Sequence, residues 1–480
     1  MHPRWRVACC ATLLLASAVA CGDSEEGGGE SSGATSATST TGPPSTGRPI
    51  VVDTDLAVDD LVALAFLLSS TEAEVRAVTV SGTGEVRCPQ GLAVIRGLLA
   101  VTGDDDVPVA CGRSAPLAGD RAFPDAWRDS ADDAYGLDLP AAPSSPPEDR
   151  DAVDLLTEAL EPGGVTMLTL GPLTNLAEAF RSEPELASQV GSVVVMGGAV
   201  DVPGNVFGEV LGEGGQTSDA EWNLYVDPTA AAEVVASGAP IVLVGLDATN
   251  QVPITADFLE VLGVNAHTDA AILVDTALDQ NPSVSSGEAY FWDPLAAAVV
   301  LDPDVVTIEE ARIAVVTDEG PDSGRTVRSD DGHTVSLAVG ADVGTFEELF
   351  LRTLDGLEPG ELLAAPTPPV GEGVIRFDGA ACSYEGPASV PAGRMRFTFD
   401  TSEPGWSGAV VHMTGELTIQ EVLAWIEANP ASQEAPPGVD AATIVQGGGA
   451  AFVDVAPPTM ALACAGDDPI PLAGGSFVVE

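Results

Sequence analysis

Along residues 48 to about 363, short β-branched runs alternate with apolar helical patterns. Ile50, Val51 and Val52 begin a buried strand, and the run at 61–70, LVALAFLLSS, follows as a helix. Residues 76–82 predict the next strand, and 90–103 a helix closed by glycine. The same alternation recurs as strand 107–112, helix 151–162, strand 165–171, helix 172–186, strand 192–199, helix 227–238 and strand 240–247. Strands separated by helices argue an α/β fold, an open doubly wound and mostly parallel sheet with helices on both faces. The stretch 121–150 breaks the pattern: it holds Trp127, several acids and the run PAAPSSPPEDR, and reads as a loop or short-helix excursion over a site.

After Leu363 the composition changes. The segment PTPPVGEG reads as a linker, and short strands spaced by Gly and Pro follow at 373–379, 393–400, 408–415, 450–457 and 475–480. One helix, 418–430, interrupts them. This pattern predicts a small antiparallel β-sandwich. The expected domains are thus 48–364 and 370–480. The second resembles a cupredoxin-like sandwich in outline only, because blue copper needs two histidines beside a cysteine and His412 stands alone.

The first 21 residues have a basic start, a short apolar run and small residues, which read as an export signal. Ala18-Val19-Ala20-Cys21 resembles a bacterial lipoprotein box, making Cys21 a lipidated residue. Residues 22–47 are Gly, Ser, Thr and Pro without apolar periodicity, a tether. The expectation is a protein exported and lipid-anchored on the extracytoplasmic face of a bacterial membrane. Its only membrane partner is then that anchor. The remaining cysteines suggest two disulfides, with local pairing giving Cys88–Cys111 and Cys382–Cys464. The net charge is −55 and lysine is absent, so the chain repels nucleic acid. A cation, or a neutral small molecule beside one, suits it better.

The chemistry concentrates after the first strand. In IVVDTDLAVDD, Asp53, Asp55, Asp59 and Asp60 arrive together at the carboxyl end of a predicted parallel strand. Four such acids repel one another unless protons or a cation intervene, and a hard divalent cation is the economical answer. A helix N-terminus accounts for Asp59 and Asp60 but not for Asp53 and Asp55. A D-x-D phosphatase of the haloacid dehalogenase type needs Thr or Val two residues after the second Asp; Leu56 and Ala57 stand here instead.

Five ordered motifs extend this cluster: VVDTDLAVDD, LGPLTNLAEAF, VVMGGAV with a following GN, EWNLYVDPTAA with VGLDATNQV, and FWDPLAAAV. Together they resemble the inosine–uridine-preferring nucleoside hydrolases. The resemblance implies hydrolysis of the N-glycosidic bond of a ribonucleoside, with a small-molecule nucleoside as partner and Ca2+ as cofactor. It implies metal ligands at Asp55, Asp60, Asp293 and the backbone carbonyl of Leu170, with Asp55 also the general base. Asp53 would support them. Asp59, Asn205, Glu221 and Asn223 would hold ribose hydroxyls, and Met196 would pack near the sugar.

Where many relatives carry a histidine acid for the leaving base, this chain has Trp292. Purine-preferring members are similar in having tryptophan there, and Trp127 lies in the right region for a second stacking ring. Three positions depart from the family. Ala57 replaces a usual glycine and is expected to resist an unusual backbone angle. Either Gly84 or Glu85 takes the place of a ribose-contacting residue. The stretch 206–220 is longer than usual and suits a lid. A surface lipoprotein that binds nucleosides without cleaving them is the alternative. A homo-oligomer is compatible with the sequence.

Overall fold

The computed structural model describes residues 47–141, 150–206, 219–285, 287–357, 361, 363–403, 406–414, 418–428, 439–446, 449–465 and 472–480. The export signal with Cys21, all of the tether but Gly47, and most of the 206–220 stretch lie outside these residues. No helix among the described residues is long and apolar enough to cross a membrane.

Nine strands form the large sheet: β1 (Arg48–Thr54), β2 (Ala73–Val80), β3 (Val109–Cys111), β4 (Thr166–Thr169), β5 (Ser192–Met196), β6 (Ile241–Val244), β7 (Val306–Val315), β8 (Thr326–Arg328) and β9 (His333–Ala341). Their order is β3-β2-β1-β4-β5-β6-β9-β7-β8. The strands from β3 to β9 pair in parallel, while β7 pairs antiparallel with both β9 and β8. This is the mostly parallel, doubly wound sheet that the alternation predicts.

The period of two along each strand explains the two cores. Ile50, Val52, Val78, Val80, Leu168 and Val194 face one layer of helices. Val51, Ala77, Met167, Val193 and Val195 face the other. The helix Val58–Leu68 is buried from Asp60 to Leu67 and packs along the equally apolar helix Trp292–Leu301. An apolar helix of this kind sits inside a domain, not on its surface. The strand order reverses between β1 and β4, and a crevice opens there at the carboxyl ends of the strands.

The C-terminal region forms two smaller sheets. One orders Cys382–Glu385, Glu372–Phe377, Gly393–Thr401 and Ala450–Val455. The other orders Ser389–Val390, Leu472–Val479, Thr459–Ala465, Ser407–Met413 and Val439–Gln446. Most pairings are antiparallel, as expected; Glu372–Phe377 with Gly393–Thr401, and Ser389–Val390 with Leu472–Val479, are parallel. Phe377, Phe397, Phe399, Leu462 and Phe477 fill the space between the sheets. Arg394 and Arg396 pair with Glu260 at 2.9 Å and Asp257 at 3.2 Å on the helix Ala256–Asn265.

Both expected disulfides are present. Cys88–Cys111 joins the start of the helix Cys88–Thr102 to β3, and Cys382–Cys464 joins the two small sheets. Cys88–Cys111 closes a loop of 23 residues. Replacing both of these cysteines with alanine is expected to destabilise the nine-stranded unit by about 3 kcal/mol. Chemical denaturation followed by tryptophan fluorescence measures this; an unchanged midpoint would contradict it.

Candidate active site

The site begins where β1 ends. Its backbone turns through Leu56, which is fully buried and held at φ 57°, a left-handed angle that leucine rarely adopts. Such strain is tolerated where surrounding contacts fix it, and it gathers at functional sites. The sequence expectation placed the unusual angle at Ala57. That is corrected here: Ala57 has φ −61°, ordinary extended backbone that alanine adopts freely.

Asp60 organises this turn. Its carboxylate accepts the Asp55 N–H at 3.0 Å, the Ala57 N–H at 3.1 Å and the Thr54 hydroxyl. As the third residue of the helix Val58–Leu68 it reaches back to the N–H of the N-cap Ala57, the carboxylate half of a capping box. Asp53 points the other way into the sheet, where Thr79 Oγ1 at 2.6 Å and Asn175 Nδ2 at 2.8 Å donate to Oδ1. Among the described residues its Oδ2 is buried without a partner, and burial pushes its pKa up to about 7.

Asp55 is squeezed between two glycines. A Cβ on Gly84 would stand 2.0 Å from the Asp55 Cβ, and one on Gly171 2.8 Å. Only glycine permits this approach. At the undecided pair, Gly84 yields space to Asp55, and Glu85 lines the cavity. Glu85 donates its N–H to Asp55 Oδ2 at 3.2 Å and accepts the Tyr135 hydroxyl at 2.6 Å. Burial raises the Glu85 pKa to about 7.

The neighbouring strand ends supply the opposite wall. Leu170 follows β4, and Met196 ends β5. Asn223 Nδ2 donates to the Leu170 carbonyl at 3.0 Å and the Met196 carbonyl at 3.3 Å, which ties the two strand ends together. Glu221 caps the short helix Trp222–Val226: its carboxylate accepts the N–H groups of Asn223, Leu224 and, across the loop, Gly198. Asn205 Oδ1 accepts the Trp222 N–H at 3.1 Å. The structure thus brings Asn205, Glu221, Asn223, Leu170 and Met196 onto one cavity with Asp55, Asp59, Asp60 and Asp293.

That cavity is about 1040 Å3, large enough for a nucleoside. Its remaining wall is aromatic. Trp127 sits on the helix Asp125–Asp132, with Trp222 at 5.3 Å and Phe123 at 6.4 Å between ring centroids. Trp292 opens the helix Trp292–Leu301, lies 5.8 Å from the Tyr290 ring and donates Nε1–H to Asn250 Oδ1 at 3.2 Å. Both predicted tryptophans line the cavity, and so do Tyr135, Trp222, Asn250 and Tyr290, which the sequence reading did not single out. FWDPLAAAV and EWN placed Tyr290 and Trp222 beside recognised positions and were the available signal; Tyr135 carried none.

The acids set the electrostatics. Asp55, Asp60 and Asp293 are 2%, 1% and 2% exposed, and Asp59 is half-buried. Burial raises the pKa of each above the usual carboxylate range, and mutual repulsion pushes Asp55, Asp59 and Asp293 up further. Among the described residues no ion pair reaches any of the four. Asp59, Asp60 and Asp293 each offer an oxygen, all within 4.8 Å of one another. Oxygen donors gathered without a compensating cation fit a hard divalent metal ion. The closest triad therefore includes Asp59, expected on the ribose, while Asp55, expected among the ligands, lies beside Asp60 in the same cavity.

Comparisons with known proteins match this fold. A family model for the inosine-uridine preferring nucleoside hydrolases matches residues 50–348. The pyrimidine-specific ribonucleoside hydrolase RihA of Salmonella schwarzengrund is 34% identical over 288 residues, covering 58% of this chain and 88% of that protein. The solved structure of a plant nucleoside hydrolase aligns with a TM-score of 0.58 at 29% identity, over 65% of this chain and 99% of its own. A purine-preferring ribonucleoside hydrolase from Gardnerella vaginalis aligns with a TM-score of 0.55 at 28% identity, over 64% and 98%. The chain belongs to the inosine-uridine preferring nucleoside hydrolase family and is a hydrolase acting on N-glycosyl compounds.

Proposed function

We propose that the protein cleaves purine ribonucleosides to free base and ribose, with calcium as its metal ion. The observation that carries this is the buried acid cluster at the strand-order reversal, opening into an aromatic cavity. Asp60, Asp293, Asp55 and the Leu170 carbonyl would hold the ion, with the Asp59 carboxylate close enough to join them. When bound, the ion would lower the pKa of the attacking water and anchor the ribose diol.

The chain's own residues divide the remaining work. Asp55 takes the proton from the attacking water, and the Glu85 N–H fixes its orientation. Asn205, Asn223 and Glu221 face the sugar. Glu221 and Asn223 are themselves locked by backbone hydrogen bonds, so they offer ribose a rigid surface. Positive charge developing on the sugar ring is favoured by the surrounding carboxylates. The two disulfides accord with an exported protein, since such bridges persist in oxidising compartments.

Purine preference rests on the aromatic wall. No histidine is among the described residues lining the cavity, so protonation of the base by imidazole has no local source. Trp292 and Trp127 offer stacking faces instead. The second reading is pyrimidine cleavage, favoured by the 34% identical Salmonella relative, which is named pyrimidine-specific. Steady-state rates separate the two. Inosine is expected to be cleaved about tenfold to a hundredfold faster than uridine, since two aromatic faces each contribute ~0.5–1.5 kcal/mol. Trp292→Ala should slow inosine more than p-nitrophenyl riboside, whose leaving group needs no protonation. Uridine as best substrate, or equal slowing of both, would overturn the stacking account.

A further inference from the structure

We infer that Arg87 is a positioning residue for the base-stacking wall, acting through the helix that carries Trp127. The inference rests on the stacking reading above.

The helix Asp125–Asp132 lies in the 121–150 excursion, and few sheet contacts hold it. Ala131 buried in the core and Trp127 packed on Trp222 and Phe123 hold it from inside, and a two-rung clamp to the segment 85–88 fixes its outer side. The first rung is the Glu85–Tyr135 hydrogen bond at 2.6 Å. The second is Arg87. Its backbone N–H donates to Asp132 Oδ1 at 2.8 Å, and its guanidinium reaches Asp132, Asp129 at 2.9 Å and Asp125 at 3.4 Å. These three acids span the whole helix, one turn apart, on the face that turns toward Arg87. Trp127 sits between the first two of them in sequence. Arg87 is followed directly by Cys88, whose disulfide to Cys111 pins the clamp to β3. A further bond, Arg128 Nη2 to the Gly82 carbonyl at 3.1 Å, points to the same docking.

The consequence is specific. Without the Arg87 guanidinium, three like charges on one helix face lose the side chain they share, and the helix, still held by the residue-87 N–H, Arg128 and Tyr135, is loosened on the sheet end. Trp127 then shifts within the stacking wall while the acid cluster, built on β1 and two other helices, stays intact. A loss confined to the base-binding wall should weaken purine nucleosides and spare the chemistry on an activated leaving group.

The test uses the full chain. Arg87→Ala is expected to lower kcat/KM for inosine about threefold to tenfold, the scale of one small ion-pair network, with kcat on p-nitrophenyl riboside changed less than about twofold. Arg87→Lys, which keeps a counterion for the helix, should restore part of the loss. Asp132→Asn keeps a side-chain oxygen for the Arg87 N–H but loses the charge, and should reproduce a milder version. Trp127→Ala is measured alongside. If Trp127→Ala weakens inosine and Arg87→Ala does not, the positioning role of Arg87 is wrong and the stacking reading survives. If Trp127→Ala leaves inosine unchanged, the stacking reading fails and this inference falls with it. Equal slowing of both substrates by Arg87→Ala, without recovery in Arg87→Lys, marks a merely structural residue and overturns the proposal.

Discussion

Asp55→Asn is expected to reduce turnover on inosine by at least ~10²-fold, the usual span of a lost general base. The substitution is nearly isosteric, so it leaves the tight fit against Gly84 and Gly171 in place. The amide oxygen can still accept the Glu85 N–H that now bonds Asp55 Oδ2. What disappears is the proton acceptor and one negative charge beside Asp60. Because that charge also attracts a metal ion, rates are compared at saturating calcium, with affinity measured separately. A fall in affinity alone would leave kcat intact once calcium saturates. Near-normal kcat there would refute the assignment of Asp55 as base.

Calcium is expected to raise the thermal midpoint of the wild-type protein, and Asp293→Ala to abolish that rise. Four raised-pKa carboxylates crowd one cavity, and a divalent ion relieves both their burial and their repulsion. Binding to the native state alone stabilises by mass action, about 2.7 kcal/mol at a hundredfold excess over Kd. Asp293 sits in the first turn of the helix Trp292–Leu301, so its carboxylate is placed by a rigid element. In Asp293→Ala one of the three closest oxygen donors is gone. The variant also loses repulsion, so its melting temperature without calcium should match or exceed the wild type's. Differential scanning with and without calcium reads both effects. A wild-type midpoint indifferent to calcium would contradict the metal assignment.

The six parallel strands from β1 to β6 were legible because their signal is local: β-branched runs and helical runs alternate in sequence as they do in space, whereas β7, β8 and β9, with the antiparallel pairings of β7, were not read. The acids were legible for the same reason. Asp53, Asp55, Asp59 and Asp60 lie within eight residues, at the end of one strand. Their division of labour was not. Asp60 as a helix cap and Asp53 as a sheet-side acceptor depend on directions of hydrogen bonds that spacing does not encode. Ala57 drew attention as a missing glycine, yet the left-handed residue is Leu56, whose burial holds it there. Glu85 and Tyr135 are fifty residues apart and meet only through the fold. Glu221 was read as a sugar contact; its dense capping bonds to backbone N–H groups are a property of a helix only five residues long. Five sandwich strands were legible from Gly and Pro spacing, but those at Cys382–Glu385, Ser389–Val390, Val439–Gln446 and Thr459–Ala465 were not, nor were the two parallel pairings, because spacing carries no strand direction.

The acid cluster, holding a divalent ion, is expected to hydrolyse the bond between ribose and base. The most direct test follows hypoxanthine release from inosine by the full chain, first stripped of metal by a chelator and then titrated with calcium. The account predicts negligible release by the stripped protein, recovery that saturates with calcium, and one ribose formed per base. Release that is undiminished by chelation, or no release at any calcium concentration from a protein that binds inosine, would contradict it; the latter result would instead describe a nucleoside-binding protein.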